Sequence, residues 1–479
     1  MKKIIVSLLT LFIFVSIDAQ INPNIKPEPS EAKAIKIGEF KSFTANNNMK
    51  VFRIRRAGYP KVRITIDFGI PLIPIEKQPE IKNILSDVFS LGNGNYSRSQ
   101  ITKKTDFYAS SVSCSVNNAT CSGMKSMIDT LLPLMSSYIT NPLINDSIVD
   151  ILKEKRIKEF AARKENPVKA SKGSFSARLQ DSLRFYKEIP FPKVEESLER
   201  YNSITADSIR GYFSKYINPE NSYCIITGDF TVDEVNDLMN RYFSEWENGV
   251  RYSGNYKSTY EKNYPDKTRI YVIDNPLAVQ SRISVKWPLD DAFPYSDNEP
   301  LLMVMNQIYG AGYLSNLNRN IRLDKGLSYG ANNILVVNIT GGMCSSNTLV
   351  RNSETAYALE NIFYEMFKMR NELVSQNSLE MAKNGLTGDY ARSMSQLNSP
   401  AIIGFCMVKD KFNLPDDYLA TYPLKLSKIT AEDIRKGAQK YIRPFESVVI
   451  IEGKADEIKG TIEKFGPVEY YSAEGKRIF

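Results

Sequence analysis

Histidine is absent from all 479 residues of the chain. It is the usual general base near neutral pH and the commonest zinc ligand. Its absence excludes a Ser-His-Asp triad, a Cys-His pair and any catalytic zinc held by imidazole. Cysteine is scarce: the five, Cys114, Cys121, Cys224, Cys344 and Cys406, lack the closely spaced pairs of an all-cysteine zinc site. The net charge is +8, yet no dense Lys/Arg cluster interleaves with aromatics. A nucleic-acid interface is therefore not expected. Beyond the N-terminus no apolar run is long enough to span a bilayer.

What is present starts with a leader. Lys2 and Lys3 precede an apolar run from Ile4 to Ile17, interrupted by Ser7, Thr10 and Ser16. This reads as a secretory signal, residues 1–19, cleaved after Ala19, and makes the chain an exported protein with the periplasm as its expected compartment. The other reading is an uncleaved anchor. Cys114 and Cys121 lie in SVSCSVNNATCSG. A two-residue turn at Asn117-Asn118 would set their sulfurs face to face, so a disulfide is one reading and two small strand residues the other. Cys224, Cys344 and Cys406 sit in apolar contexts and read as core. An apolar content of 42% supports substantial cores, and the length points to more than one domain.

The chain also repeats itself. Residues 203–229, SITADSIRGYFSKYINPENSYCIITGD, and residues 428–454, KITAEDIRKGAQKYIRPFESVVIIEGK, align without a gap at an offset of 225 (428 minus 203). Each copy predicts a threonine N-cap (Thr205, Thr430), an amphipathic helix, a turn at Pro219 or Pro444, and an apolar strand ended by Gly228 or Gly453. A period this long means duplicated domains. Upstream, strands are expected at 62–68 in the first half and at 269–273, 281–287 and 334–339 in the second. Helices are expected at 80–91 and 299–309. Strands and helices mix without strict βαβ alternation. The expected class is therefore α+β, two homologous domains (40–248 and 267–479), each an antiparallel-rich sheet with packed helices, joined by a polar linker at 249–266.

These residues resemble the insulinase or pitrilysin family of zinc peptidases, from about Phe43 to Phe465. The resemblance is most specific in SNLNRNIRLDKGLSYG (315–330) and NLPDDYLATYPLKLSKITAEDI (413–434), and KEFAARKENP followed by ITADSI and IITGD matches in order. It implies a half-shell of two domains. The family's catalytic motif is His-x-x-Glu-His on the first helix, with a later glutamate as third ligand. Counted back from Gly92, the matching positions here are Asn83, Ser86 and Asp87, so both histidines and the general base are missing. Glu159 stands where the third ligand would be. It is either a relic of that ligand or one partner of an ion pair with Lys155, Arg163 or another cation. Asn83, Asp87 and Glu159 offer too few oxygens for calcium or magnesium, and Ile81, Ile84, Leu85 and Val88 mark the helix as packed.

The resemblance further implies that Arg322 and Tyr329 are substrate-binding residues, donating hydrogen bonds to a peptide carbonyl opposite the zinc. The alternative for them is a solvated helix-end arginine and a half-buried strand tyrosine. The chain is thus expected to be catalytically incomplete, with no metal of its own. It would pair with a zinc-bearing insulinase-family subunit and help hold peptide for proteolysis. The second reading is a scaffold or peptide-binding protein with no part in hydrolysis.

Overall fold

The computed structural model describes residues 33–35, 38–70, 78–165, 175–183, 185, 194–251, 264–292, 294–338, 341–396, 399–409 and 412–479. The expected signal segment and residues 252–263 of the expected linker lie outside the described residues.

Apolar runs, continuous in the central strands, build two six-stranded sheets. The first contains β1 (Glu39–Thr44), β2 (Lys50–Arg55), β3 (Lys61–Asp67), β4 (Ser111–Cys114), β5 (Asn118–Met124) and β6 (Tyr223–Gly228), in the order β1-β2-β6-β3-β5-β4. The second contains β7 (Arg269–Asp274), β8 (Gln280–Leu289), β9 (Ala331–Asn338), β10 (Gly341–Arg351), β11 (Val448–Gly453) and β12 (Val468–Tyr471), in the order β12-β7-β11-β8-β10-β9. Five positions correspond in order and direction. β2 and β6 are parallel, as are β7 and β11. The steps from β6 through β3 and β5 to β4, and from β11 through β8 and β10 to β9, are antiparallel. The sixth position differs: β1 arrives as a hairpin antiparallel to β2, whereas β12 comes from the C-terminal end and runs parallel to β7.

The repeated unit holds its offset to the residue. Helices Ala206–Tyr216 and Ala431–Tyr441 start and stop 225 apart (431 − 206, 441 − 216), and so do β6 and β11 (448 − 223). The cause is local. Thr205 and Ser208 exchange side-chain and backbone hydrogen bonds in a capping box, and Thr430 and Asp433 do the same. Gly228 and Gly453 end the strands because a side chain would not fit. A Cβ at Gly228 would lie 2.6 Å from Val62 Cγ1, and one at Gly453 2.6 Å from Ser281 Oγ.

A second pair at the same offset ties the halves together. Helix Phe175–Ser182 of the first half and helix Pro400–Val408 of the second begin 225 apart (400 − 175). Each covers the other half's sheet. Leu179, Leu183 and Phe185 pack with Tyr271, Ile273, Val448 and Ile450 on β7 and β11. Ile402 and Phe405 pack with Phe52, Ile54 and Ile225 on β2 and β6. Ile225 and Ile450 are themselves repeat equivalents, so the exchange is reciprocal. The first sheet's other face buries Ile64, Cys224 and Ile226 in its own core. Arg56 adds a polar tie. Its guanidinium donates to the carbonyls of Ser395 and Met394, both at 2.6 Å, where helix Gln376–Ser395 ends and its partial negative charge gathers.

The two cysteines of the β4–β5 hairpin are free. The connection is longer than the two-residue turn considered above, and the register pairs Cys114 with Ala119 and Cys121 with Val112, so the sulfurs do not meet.

Candidate functional site

Helix Gln78–Leu91 is anchored by buried Ile81, Ile84, Leu85, Val88 and Phe89. That packing fixes where the three motif positions point. Asn83 Nδ2 donates to the Tyr201 hydroxyl at 2.7 Å. Ser86 is exposed. Asp87 receives Nε and Nη2 of Arg156, both at 2.7 Å, and the same guanidinium donates from Nη1 to Glu159 Oε2 at 3.0 Å. Arg156 and Glu159 are neighbours three apart on helix Asp146–Glu165. The cation paired with Glu159 is thus Arg156, and its second partner is the residue in the place of the second motif histidine.

This arrangement decides the metal question chemically. The side chains of Arg156 and Asp87 are 21% and 14% exposed, so the pair is largely shielded and its two parallel N–H···O bonds are of the strong, charge-assisted kind. Both Asp87 oxygens are committed to the guanidinium. Asn83 offers only an amide oxygen, outside the Cys, His, Asp and Glu set that holds zinc. Among the described residues no group of three His, Cys, Asp or Glu could hold a metal ion. The residues present therefore do not fit zinc: a fixed organic cation stands between the two acidic positions. Arg156 and Tyr201 are site residues that sequence reading did not single out. The signal for Arg156 was its i,i+3 spacing from Glu159.

A direct test follows. Asn83→His, Ser86→Glu and Asp87→His together restore the motif but leave Arg156 beside Glu159. That triple variant should bind zinc at least about tenfold more weakly than the same variant carrying Arg156→Ala, because a retained guanidinium repels the metal and occupies its carboxylate. Metal titration by calorimetry reads the difference. Equal zinc affinity of the two variants would show that Arg156 is no obstacle.

In the second half the expected helix at 299–309 is helical only to Asn306 and continues as a π-helical turn, Gln307–Ala311. The wider turn brings the Gly310 backbone against β9, where a Cβ would lie 2.4 Å from that of Asn333. Asn333 is buried in a polar chain: its Nδ2 donates to Asn306 Oδ1 at 2.8 Å, its Oδ1 accepts from Ser346 at 3.0 Å, and Ser346 meets the Tyr309 hydroxyl at 3.0 Å. A second π-helical turn, Arg319–Asp324, carries Arg322. The Arg322 guanidinium lies 5.1 Å from the Tyr313 ring centroid, a cation–π contact that orients it. Gly326, at φ +62°, reverses the chain toward Tyr329. Tyr329 is 95% exposed. Buried Asn318, also missed by sequence reading, holds both ends of this segment. Its Nδ2 donates to the Tyr313 carbonyl at 2.7 Å, and its Oδ1 accepts from Ala331 N at 3.1 Å. The second turn thus carries Arg322 within a segment whose two ends Asn318 holds.

Both the sequence and the fold are similar to known proteins. Residues 203–386 match the family model described as the peptidase M16 inactive domain. No curated protein matches the sequence. The fold is similar to that of a peptidase M16 inactive domain from Pseudomonas fluorescens, with a TM-score of 0.70 and 17% identity over 87% of this chain and 98% of that one. It is similar to a protease from Helicobacter pylori, with a TM-score of 0.70 and 14% identity over 87% of this chain and 99% of that one. It is also similar to the periplasmic protease PqqL from Escherichia coli, with a TM-score of 0.67 and 15% identity over 95% of this chain and 49% of PqqL. The part of the chain that matches by sequence, residues 203–386, is thus similar to the inactive domain of the M16 peptidases, and the fold over most of the chain is similar to that of a solved M16 inactive-domain protein.

Proposed function

We propose that this chain is the non-catalytic member of a two-chain peptidase. A zinc-bearing insulinase-family subunit supplies the metal and the general base. This chain supplies Arg322 and Tyr329, which donate hydrogen bonds to the carbonyl of a bound peptide, and part of the wall around it. The observation that carries the reading is a contrast. The acidic motif positions are neutralised internally by Arg156, whereas Tyr329 stands almost fully exposed in the segment that follows Arg322, which rests on the Tyr313 ring. A stability role alone gives no reason to leave a tyrosine so open. The leader read at residues 1–19 places the assembly outside the cytoplasm, in the periplasm, and the likeness to a periplasmic protease supports that compartment.

The test is reconstitution. Isolated, the purified chain should bind no stoichiometric zinc and show no chelator-sensitive peptide cleavage. Mixed with a zinc-bearing relative from the same cell, it should form a complex on gel filtration and raise peptide cleavage. Mass spectrometry of the exported chain should find an N-terminus just after Ala19. Zinc-dependent cleavage by the isolated chain would refute the division of labour. Complex formation without any gain in cleavage would leave the scaffold reading.

A further inference from the structure

Side chains alternate across β3. Val62, Ile64 and Ile66 enter the first half's core, which sends Arg63, Thr65 and Asp67 to the other face. On that face the strand pairings set one row across the sheet: Ile54, Thr227, Arg63, Ser122 and Ser111. Ile54 lies under helix Pro400–Val408, and Ser111, at the far end, is exposed. Arg63, half-buried, stands between them. Among the described residues it makes no hydrogen bond and no ion pair. Its Nε is enclosed without a partner, and Nη1 and Nη2 keep contact with solvent. Burial pulls the guanidinium below its ordinary pKa, and no carboxylate offsets the loss. The one acid on this face of β3, Asp67, is four residues on, about 13 Å along the strand, and accepts from Gly69 N at 2.9 Å.

The duplication supplies the contrast. Thr227 and Glu452 are repeat equivalents, 225 apart (452 − 227), and each lies directly across from an arginine, Arg63 on β3 and Arg282 on β8. The second half thus sets a carboxylate opposite its arginine, and the first half sets a hydroxyl. Thr65, Thr120 and Thr227 around Arg63 are buried, and the Ser122 hydroxyl donates to the Val62 carbonyl at 3.1 Å, so the surround offers dipoles and no counter-charge. A half-buried cation without a counter-charge is costly to keep. One guanidinium with two free terminal nitrogens matches a planar monoanion that accepts two parallel N–H bonds. We infer that Arg63 binds a carboxylate, that of a peptide C-terminus or of an acidic side chain. That the carboxylate is a peptide's rests on the proposed function. That the site takes a carboxylate does not, and the isolated chain suffices for it.

Calorimetric titration of the full chain with N-acetyl-tetraalanine tests the inference, with its C-terminal amide as the control that lacks only the charge. Saturable binding of the acid and not of the amide is expected. Arg63→Met, which keeps much of the length and removes the charge, should weaken binding of the acid roughly tenfold or more. The same variant should melt about 1 °C or more higher, because the free chain loses an uncompensated charge. An arginine that served only the fold would give the opposite shift. Two further probes identify the source, N-acetyl-Ala-Glu-Ala-Ala amide and butyrate. Tighter binding of the free C-terminus assigns the main-chain carboxylate, tighter binding of the glutamyl peptide assigns a side chain, and equal binding means that either serves. Butyrate binding as tightly as both peptides would keep the carboxylate site and remove the peptide from it. No saturable binding of any carboxylate, equal binding of acid and amide, unchanged affinity in Arg63→Met, or a lower melting temperature for that variant would overturn the site.

Discussion

Arg322→Ala and Tyr329→Phe should each cut the turnover of the reconstituted pair by roughly a hundredfold, about 3 kcal/mol of barrier, without weakening the pairing. The magnitude is that of one lost donor to an oxyanion. The charge on the peptide carbonyl oxygen grows as water attacks, so a donor fixed beforehand stabilises the transition state more than the substrate. The structure supplies an orienting contact for Arg322 and holds the backbone near Tyr329. Arg322 rests on the Tyr313 ring, and Asn318 pins both the Tyr313 carbonyl and the start of β9 just beyond Tyr329. The loss should therefore appear in kcat more than in KM. Gel filtration checks pairing, and steady-state kinetics reads the rest. Full activity of both variants would sink assisted catalysis and favour the scaffold, whose binding surface is spread over many residues.

What could be read in the sequence was what is local. Thr205 and Thr430 announce their helices because a cap needs only the next three residues. β6 and β11 announce themselves because a continuous apolar run, five successive buried positions in β6 and four in β11, exceeds what one face requires. The class and the duplication follow from those signals. Other features depend on contacts far apart in sequence. An apolar stripe says that a helix buries one face, not which sheet it meets, so nothing marked Phe175–Ser182 and Pro400–Val408 as exchanged between halves. The edge strands β1 and β12 fill corresponding places from opposite ends of the chain, which no period reveals. At the motif, the loss of function was legible and the replacement was not. Several cations flank Glu159, and Asp87, sixty-nine residues from Arg156 in sequence, decides which of them turns inward.

The exchange of helices sets the largest expected effect on stability. Phe405→Ala should destabilise the chain by about 3–5 kcal/mol, the usual cost of emptying a fully buried aromatic site. Phe405 is completely buried. Its ring lies 5.7 Å from Phe40 of the first half, edge on, and 6.2 Å from Tyr418 of the second, stacked. Truncation therefore opens a void between the first sheet and the helix that covers it. If this contact joins the halves, Phe40→Ala and Phe405→Ala should couple in a double-mutant cycle by about 0.5 kcal/mol or more, beyond the near-additivity of independent sites. The reciprocal cover provided by Phe175–Ser182 means that neither sheet is complete without the other half. Denaturant unfolding of the unmodified chain, followed by tryptophan fluorescence, draws on one tryptophan in each half, Trp246 and Trp287, and should show a single transition. Two transitions, or additive effects of the two phenylalanine variants, would mean that the halves fold independently and that the exchanged helices contribute little to holding them together.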